Sequence, residues 1–303
     1  MAKWIKNKFD KNLSYEKLRQ AHILSRKGKG YKKDIILFNL KQEEYIKWLL
    51  QELQNGTYKH GGYTAFYITE PKLRKIEKSR YIDRIVHRWI VDNFLKPYFV
   101  PTFISTSYAC LENKGMHKAC LDVQKAMKSY KTKYNNYYIL KMDVRKYFDN
   151  INKNILLEIL KKKIKDGKLL WLINEVLYAQ KREKGLEIGN FTSQTFANIY
   201  LNEVDQYAKT ILRIKAYYRY MDDTVILTKS KKEAEEILEK LKEFLKEKLE
   251  LELNGKTQIF KSSQGVNFCG YKINEYRLKI RTKGKKKFKK KMKKLIMQIK
   301  NGE

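Results

Sequence analysis

Tyr217-Tyr218-Arg219-Tyr220-Met221-Asp222-Asp223-Thr224-Val225-Ile226-Leu227 sets two adjacent carboxylates inside a run that otherwise reads as strand. Aromatic and β-branched residues on both sides predict two short strands, with the acidic pair at or near the turn between them. Like charges are costly to bury there unless something neutralises them, and a divalent metal is the usual neutraliser. Taken alone, Asp222-Asp223 would read as a polar turn. A third carboxylate, Asp143, changes that balance: it ends a second apolar strand, Tyr137-Tyr138-Ile139-Leu140-Lys141-Met142-Asp143-Val144, well upstream.

Carboxylates at the ends of neighbouring strands suit hard cations such as Mg²⁺. Two such ions, about 3.5–4 Å apart, can stabilise the attacking and leaving oxygens of an in-line phosphoryl transfer. The charge of the chain points the same way. With 67 Lys+Arg against 33 Asp+Glu the formal net charge is +34 over 303 residues, and the basic residues are spread along the whole length. A phosphate backbone is the expected partner, because its neutralisation releases counterions. No apolar run approaches the ~18–20 residues of a spanning helix, and the start, Met1-Ala2-Lys3-Trp4-Ile5-Lys6-Asn7-Lys8, is too polar for a signal peptide. The expectation is a cytoplasmic protein with no membrane partner. Cys110, Cys120 and Cys269 are odd in number and lack a CxxC spacing, so they read as reduced packing residues rather than disulfides or zinc ligands.

Periodicity predicts helices over 12–29, 41–54, 81–96, 152–163, 169–180, 192–210 and 231–250, and a basic amphipathic helix from Lys283 to Lys300. Tyr63 to Ile68 reads as a strand, followed by a charged stretch from Pro71 to Arg80. Two short strands around Asn254-Gly255 and a third from Val266 to Ile273 complete the pattern. The class is α+β, an antiparallel sheet with helices on one face.

In order, these segments resemble reverse transcriptases over nearly the whole chain. Arg74-Lys75-Ile76 through Ser79-Arg80-Tyr81-Ile82-Asp83-Arg84-Ile85-Val86-His87 looks like the fingers motifs, Tyr138 to Asn150 like the first palm motif, and Tyr220-Met221-Asp222-Asp223 like the signature box. Leu253-Asn254-Gly255-Lys256-Thr257 and Phe268-Cys269-Gly270-Tyr271 are similar to the later palm motifs, the last to the primer grip. The resemblance implies a right-hand polymerase. Residues 1–110 would be an N-terminal extension and fingers, 111–275 a palm with interleaved helices, and 276–303 a reduced or truncated thumb helix.

It also implies roles. Asp143, Asp222 and Asp223, with the backbone carbonyl of Val144, would hold two Mg²⁺ ions, with Mn²⁺ as a substitute. Phe148 would lie beneath the sugar and exclude a 2′-hydroxyl. Arg74 would clamp the triphosphate, with Lys72 as a second cation; a guanidinium is always charged and can bond two oxygens at once. Lys256 would protonate the leaving pyrophosphate, and Phe268, Gly270 and Tyr271 would form the primer grip. Many relatives have a Pro-Gln-Gly turn where this chain has Glu187-Ile188-Gly189-Asn190-Phe191-Thr192-Ser193-Gln194. Ile-Gly-x-x-x-Ser-Gln resembles the reverse transcriptases of diversity-generating retroelements, as does the region from Tyr15 to Lys29. Ile188, Gly189 and Gln194 would then contact the incoming nucleotide. Ile188 cannot donate the hydrogen bond a glutamine offers, so polar discrimination weakens.

The expectation is an RNA-directed DNA polymerase that extends a primer 3′-hydroxyl with deoxynucleotides on template RNA, with errors concentrated at template adenines. A small basic accessory protein would be its partner, in a bacterial, archaeal or phage context. The rivals are a group II intron-like, retron or phage-defence reverse transcriptase, and a non-catalytic RNA-binding protein of the same fold. The presence of all three aspartates speaks against the last.

Overall fold

The computed structural model of the chain describes residues 4–69 and 73–300. Helices α1 (Phe9–Asn12) and α2 (Tyr15–Arg26) open it, α2 capped by Ser14, whose side chain accepts from the backbone N–H of Lys17. Helices α3 (Lys33–Leu40) and α4 (Gln42–Asn55) follow, and Gly56 ends α4 in the left-handed conformation that a residue without Cβ adopts freely. Strands β1 (Tyr63–Ile68) and β2 (Arg74–Ser79) form an antiparallel pair with Tyr63 opposite Ser79. Then come α5 (Tyr81–Ile90), a π turn at Val91–Leu95, and α6 (Lys96–Phe99).

The middle of the chain holds α7 (Met116–Tyr134), β3 (Tyr138–Asp143), α8 (Tyr147–Asn150), α9 (Lys153–Lys163), α10 (Gly167–Leu177) and α11 (Phe191–Gln206). It continues through β4 (Tyr217–Tyr220), β5 (Asp223–Thr228), α12 (Lys231–Leu249), β6 (Gln258–Lys261), β7 (Val266–Phe268), β8 (Tyr271–Ile273), β9 (Leu278–Ile280) and α13 (Thr282–Lys300).

Two compact units result, each assembled from separated stretches. One comprises Met1–Phe103, Lys146–Glu203 and Glu247–Leu251. Its core forms on α5, where Ile85, Val86, Trp89 and Ile90 are fully buried on the apolar stripe. Trp89 meets Phe9 edge to face at 5.4 Å and donates its indole N–H to the carbonyl of Asn12 at 3.0 Å, tying α5 to α1.

The other unit comprises Ile104–Arg145, Val204–Lys246 and Glu252–Glu303. Its four-stranded sheet has the order β4-β5-β3-β6, antiparallel throughout, and a separate three-stranded sheet has the order β7-β8-β9. Ala119, Cys120, Val123 and Met127 of α7 share one core with Ile139, Val225 and Leu227 of the first sheet and with Val266, Phe268 and Ile273 of the second. None of the residues of α13 is buried.

Three expectations about local structure need correction. The charged stretch before α5 contains strand β2, exposed at Arg74 and Lys75 and buried at Glu77 and Ser79, so that its inward residues are polar and no apolar alternation marks it. The stretch Val266 to Ile273 is a hairpin, not one strand, because Cys269 (φ +46°) and Gly270 (φ +87°) reverse the chain. Of the two strands around Asn254-Gly255, the first is only a bridge between Leu253 and Val144, and the second is β6.

Candidate functional site

Pairing of Tyr220 with Asp223 leaves Met221 and Asp222 as a two-residue loop between β4 and β5. Met221 has φ +55°, the positive value that primed hairpin turns require at their first central position. An L residue in that conformation costs about 1–2 kcal/mol. The neighbouring Arg219 bears on the same turn: its Nη1 donates to the Met221 carbonyl at 3.0 Å. The rest of the guanidinium is bonded to Asp205, through Nε to Oδ1 at 2.7 Å and Nη2 to Oδ2 at 2.5 Å. Tyr217, on the same face of β4, donates to Asp205 Oδ1 at 2.9 Å. Arg219 and Asp205 are 1% and 0% exposed.

Asp143 is the last residue of β3 and stands directly opposite Asp223 in the β3–β5 ladder. Asn254 holds it from the other side: its backbone N–H donates to the Asp143 carbonyl at 2.7 Å and its Nδ2 to Oδ2 at 3.1 Å. Lys141, two residues earlier and therefore on the same strand face, puts its ammonium against Asp223 and 5.6 Å above the Phe268 ring. Burial pulls Lys141 down to about 8, against the opposing pull of Asp143 and Asp222. It is still mostly charged at neutral pH.

The donor set fits a hard divalent cation in kind. Two register-paired carboxylates adjoin a third at the turn, and Asp223 Oδ1 already pairs with a cationic group, the Lys141 ammonium. Among the described residues the side chains are not drawn together into a closed group of three acidic, histidine or cysteine ligands. The bridge from Val144 to Leu253 fixes the backbone just past Asp143.

The remaining predicted residues fall into three groups. Phe268 is buried in the core at the end of β7, while Gly270 and Tyr271 are half-buried beside it. Lys256 is exposed, its backbone N–H donating to Asn254 Oδ1 at 3.2 Å. Phe148, Ile188, Gly189, Gln194 and Arg74 belong to the first unit. There the Ile188 carbonyl accepts from Glu77 N–H at 3.1 Å, and Asn190 Nδ2 donates to the Glu77 carbonyl at 3.2 Å, so the turn is sewn to β2. Glu77 is held by Arg182 and Gln180, and Leu186 N–H donates to the Phe148 carbonyl at 2.8 Å. Ile188 and Phe148 are half-buried, and Gln194 and Arg74 are exposed. Lys72 lies outside the described residues.

Beside this turn a cavity of about 210 Å³ is lined by Lys27, Lys29, Arg84, Arg88, Asn190 and Gln194. Sequence reading did not single out Lys141, Asp205 or Arg219. Strand alternation could have flagged Lys141, which must share a face with Asp143. No local signal links Asp205 to Arg219.

A family model described as reverse transcriptase (RNA-dependent DNA polymerase) matches residues 68–273. The chain belongs to the reverse transcriptase family. Among curated relatives, this reverse transcriptase is 26% identical over 309 residues to the group II intron-encoded protein LtrA of Lactococcus lactis subsp. cremoris, covering 78% of this chain and 50% of LtrA. It is 25% identical over 271 residues to the protein YkfC of Escherichia coli (strain K12), covering 75% of this chain and 71% of that one. The chain thus spans about half the length of LtrA. Its fold is similar to that of telomerase from Candida albicans, solved with a fragment of telomeric RNA, at a TM-score of 0.56 and 12% identity over 80% of this chain and 51% of the other. Apo telomerase from Candida tropicalis gives a TM-score of 0.55 at 13% identity, covering 80% and 53%. The fold is the mixed helix-and-sheet, right-hand polymerase type. No helix among the described residues is long and apolar enough to cross a membrane.

Proposed function

We propose that the chain is an RNA-directed DNA polymerase, and the observation that carries this reading is the register pairing of Asp143 with Asp223 beside Asp222 in a member of this family. The primer 3′-oxygen would attack the α-phosphorus of a deoxynucleoside triphosphate, and the bond from that phosphorus to the bridging oxygen would break, releasing pyrophosphate. Asp143, Asp222, Asp223 and the Val144 carbonyl would hold two Mg²⁺ ions, or Mn²⁺ in their place, which supply charge stabilisation at the attacking and leaving oxygens. Arg74, exposed on β2, binds the triphosphate, with Lys72 as a second cation. Phe148 closes the space a 2′-hydroxyl would need, and Lys256 supplies a proton to the departing pyrophosphate. Phe268 supports the primer grip from the core while Gly270 and Tyr271 face the primer. In this reading the fingers lie within 1–110, the palm within 111–275, and residues 276–303 belong to the thumb.

The four cations around the cavity next to Gly189 and Asn190 suit the phosphates of template RNA. Ile188 replaces polar readout of the new base pair with an apolar contact, which favours errors at template adenines and a diversity-generating role with a small basic accessory protein in the cytoplasm. Similarity to the group II intron-encoded protein LtrA favours a second reading, a group II intron-type enzyme without that adenine bias. Extension of a DNA primer on RNA, with sequencing of the products, separates them. Adenine-biased errors that fall in Ile188→Gln support the first, copying without that bias the second, and absence of extension in the presence of Mg²⁺ refutes both.

A further inference from the structure

Buried ion pairs contribute little net stability, because desolvation offsets their attraction; an apolar pair of similar volume often serves as well. A fully buried Asp205–Arg219 pair therefore calls for a role beyond holding α11 to β4. The geometry supplies one. Asp205 takes Nε and Nη2 of the guanidinium, which fixes the plane of the group. The planar fork then aims Nη1 at the Met221 carbonyl, 3.0 Å away, in the left-handed residue of the loop. The backbone of Arg219 is fixed as well: its N–H donates to Thr106 at 3.0 Å and its carbonyl accepts from Tyr108 at 3.1 Å. Tyr217 adds a donor to Asp205. A loop conformation that L residues disfavour persists only where its surroundings over-determine it.

We propose that Asp205 and Arg219 are positioning residues of the active site: together they lock the left-handed turn at Met221 and so set the direction of the Asp222 and Asp223 carboxylates. This rests on the polymerase reading for its catalytic consequence, though not for its geometric one. Lysine could keep the charge at 219, but its single ammonium lacks the fork that serves Asp205 and the Met221 carbonyl together.

The test separates stability from positioning. Arg219→Met with Asp205→Leu removes both charges at once and is expected to fold, with a melting temperature lowered chiefly by the Tyr217 hydroxyl left without its acceptor. Mn²⁺ binding to the full chain, followed by the electron paramagnetic resonance of the free ion, should weaken by roughly 10-fold or more. In primer extension kcat should fall by about 10²-fold, as for an ångström-scale misplacement, with KM for deoxynucleotide changed less than about 3-fold. A folded double variant that keeps both Mn²⁺ affinity and kcat within about 3-fold of the parent would overturn the proposal. Should the double variant fail to fold, Arg219→Lys decides: loss of kcat and Mn²⁺ affinity in a folded protein supports it, and retention of both overturns it. A parent that binds Mn²⁺ but extends no primer would count against the polymerase reading, and the Mn²⁺ comparison would still judge the pair.

Discussion

Replacing Gly189 by alanine is expected to destabilise the protein through its backbone conformation and one close contact. Gly189 has φ +119°, a backbone conformation that L side chains rarely adopt, and a Cβ there would sit 3.0 Å from Cγ2 of Ile76 on β2. The backbone contribution is about 1–3 kcal/mol. Ile76 is half-buried and can yield only in part, so overpacking adds about 1 kcal/mol. The reduced freedom of the unfolded chain offsets about 0.4–1 kcal/mol. The net is a loss of about 2 kcal/mol, or roughly 4–8 °C in melting temperature for a domain of about 150–250 residues. Gly30→Ala is the control, since Gly30 lacks a positive φ and nothing lies within 4 Å of its Cβ position. It should melt at or slightly above the parent temperature. Circular dichroism melts of the three proteins would measure this. A Gly189→Ala protein that melts with the control would refute the reasoning, because it would mean that the turn does not lie against β2 as described.

Acid should destabilise the protein through its buried histidines. Burial pulls His22 down to about 4, and lowers His60 and His87, the last well below its ordinary value. His60 Nδ1 accepts from Gly62 N–H, so its Nε2 carries the proton and donates to His87 Nε2 at 3.1 Å. The unfolded chain binds these protons more readily, so stability is full above about pH 6.5 and falls as pH drops through 6.5 toward 4. A melting temperature that is flat from pH 7.5 to 4.5 would contradict this. Phe148→Ala should raise ribonucleotide incorporation relative to deoxynucleotide by roughly 10-fold or more, read by single-nucleotide extension; unchanged selectivity would remove Phe148 from that role. RNA binding should weaken steeply with salt. If the basic surface neutralises about 5 phosphates, log K against log salt has a slope near about −3.5, and a slope near zero would exclude a phosphate-dominated interface.

Much of the site was legible because its signals are local. Strands β3, β4 and β5 announce themselves by β-branched and aromatic runs, and each acidic residue falls where its run breaks, so the turn at Met221-Asp222 could be read directly. Helix α7 escaped notice because lysines interrupt its apolar positions Ala119, Cys120, Val123 and Met127. Strand β2 escaped because a two-stranded ribbon with an exposed edge needs no apolar alternation. The reversal at Cys269-Gly270 lacks the Asn-Gly or Asp-Gly signature of a tight hairpin. Pairings between distant segments carry no local signal at all. Asp205 with Arg219, Asn254 with Asp143, and Glu77 with the Ile188 turn are visible only after the chain has folded.

The most direct test of the account is primer extension on an RNA template with Mg²⁺ and the four deoxynucleoside triphosphates, comparing the parent with Asp222→Asn. A carboxamide keeps the shape of the side chain but removes the negative charge that would hold a cation. The account predicts template-directed extension by the parent and a loss of about 10²–10³-fold in the variant, the scale expected when preorganised charge stabilisation is removed. Equal extension by both proteins would contradict it.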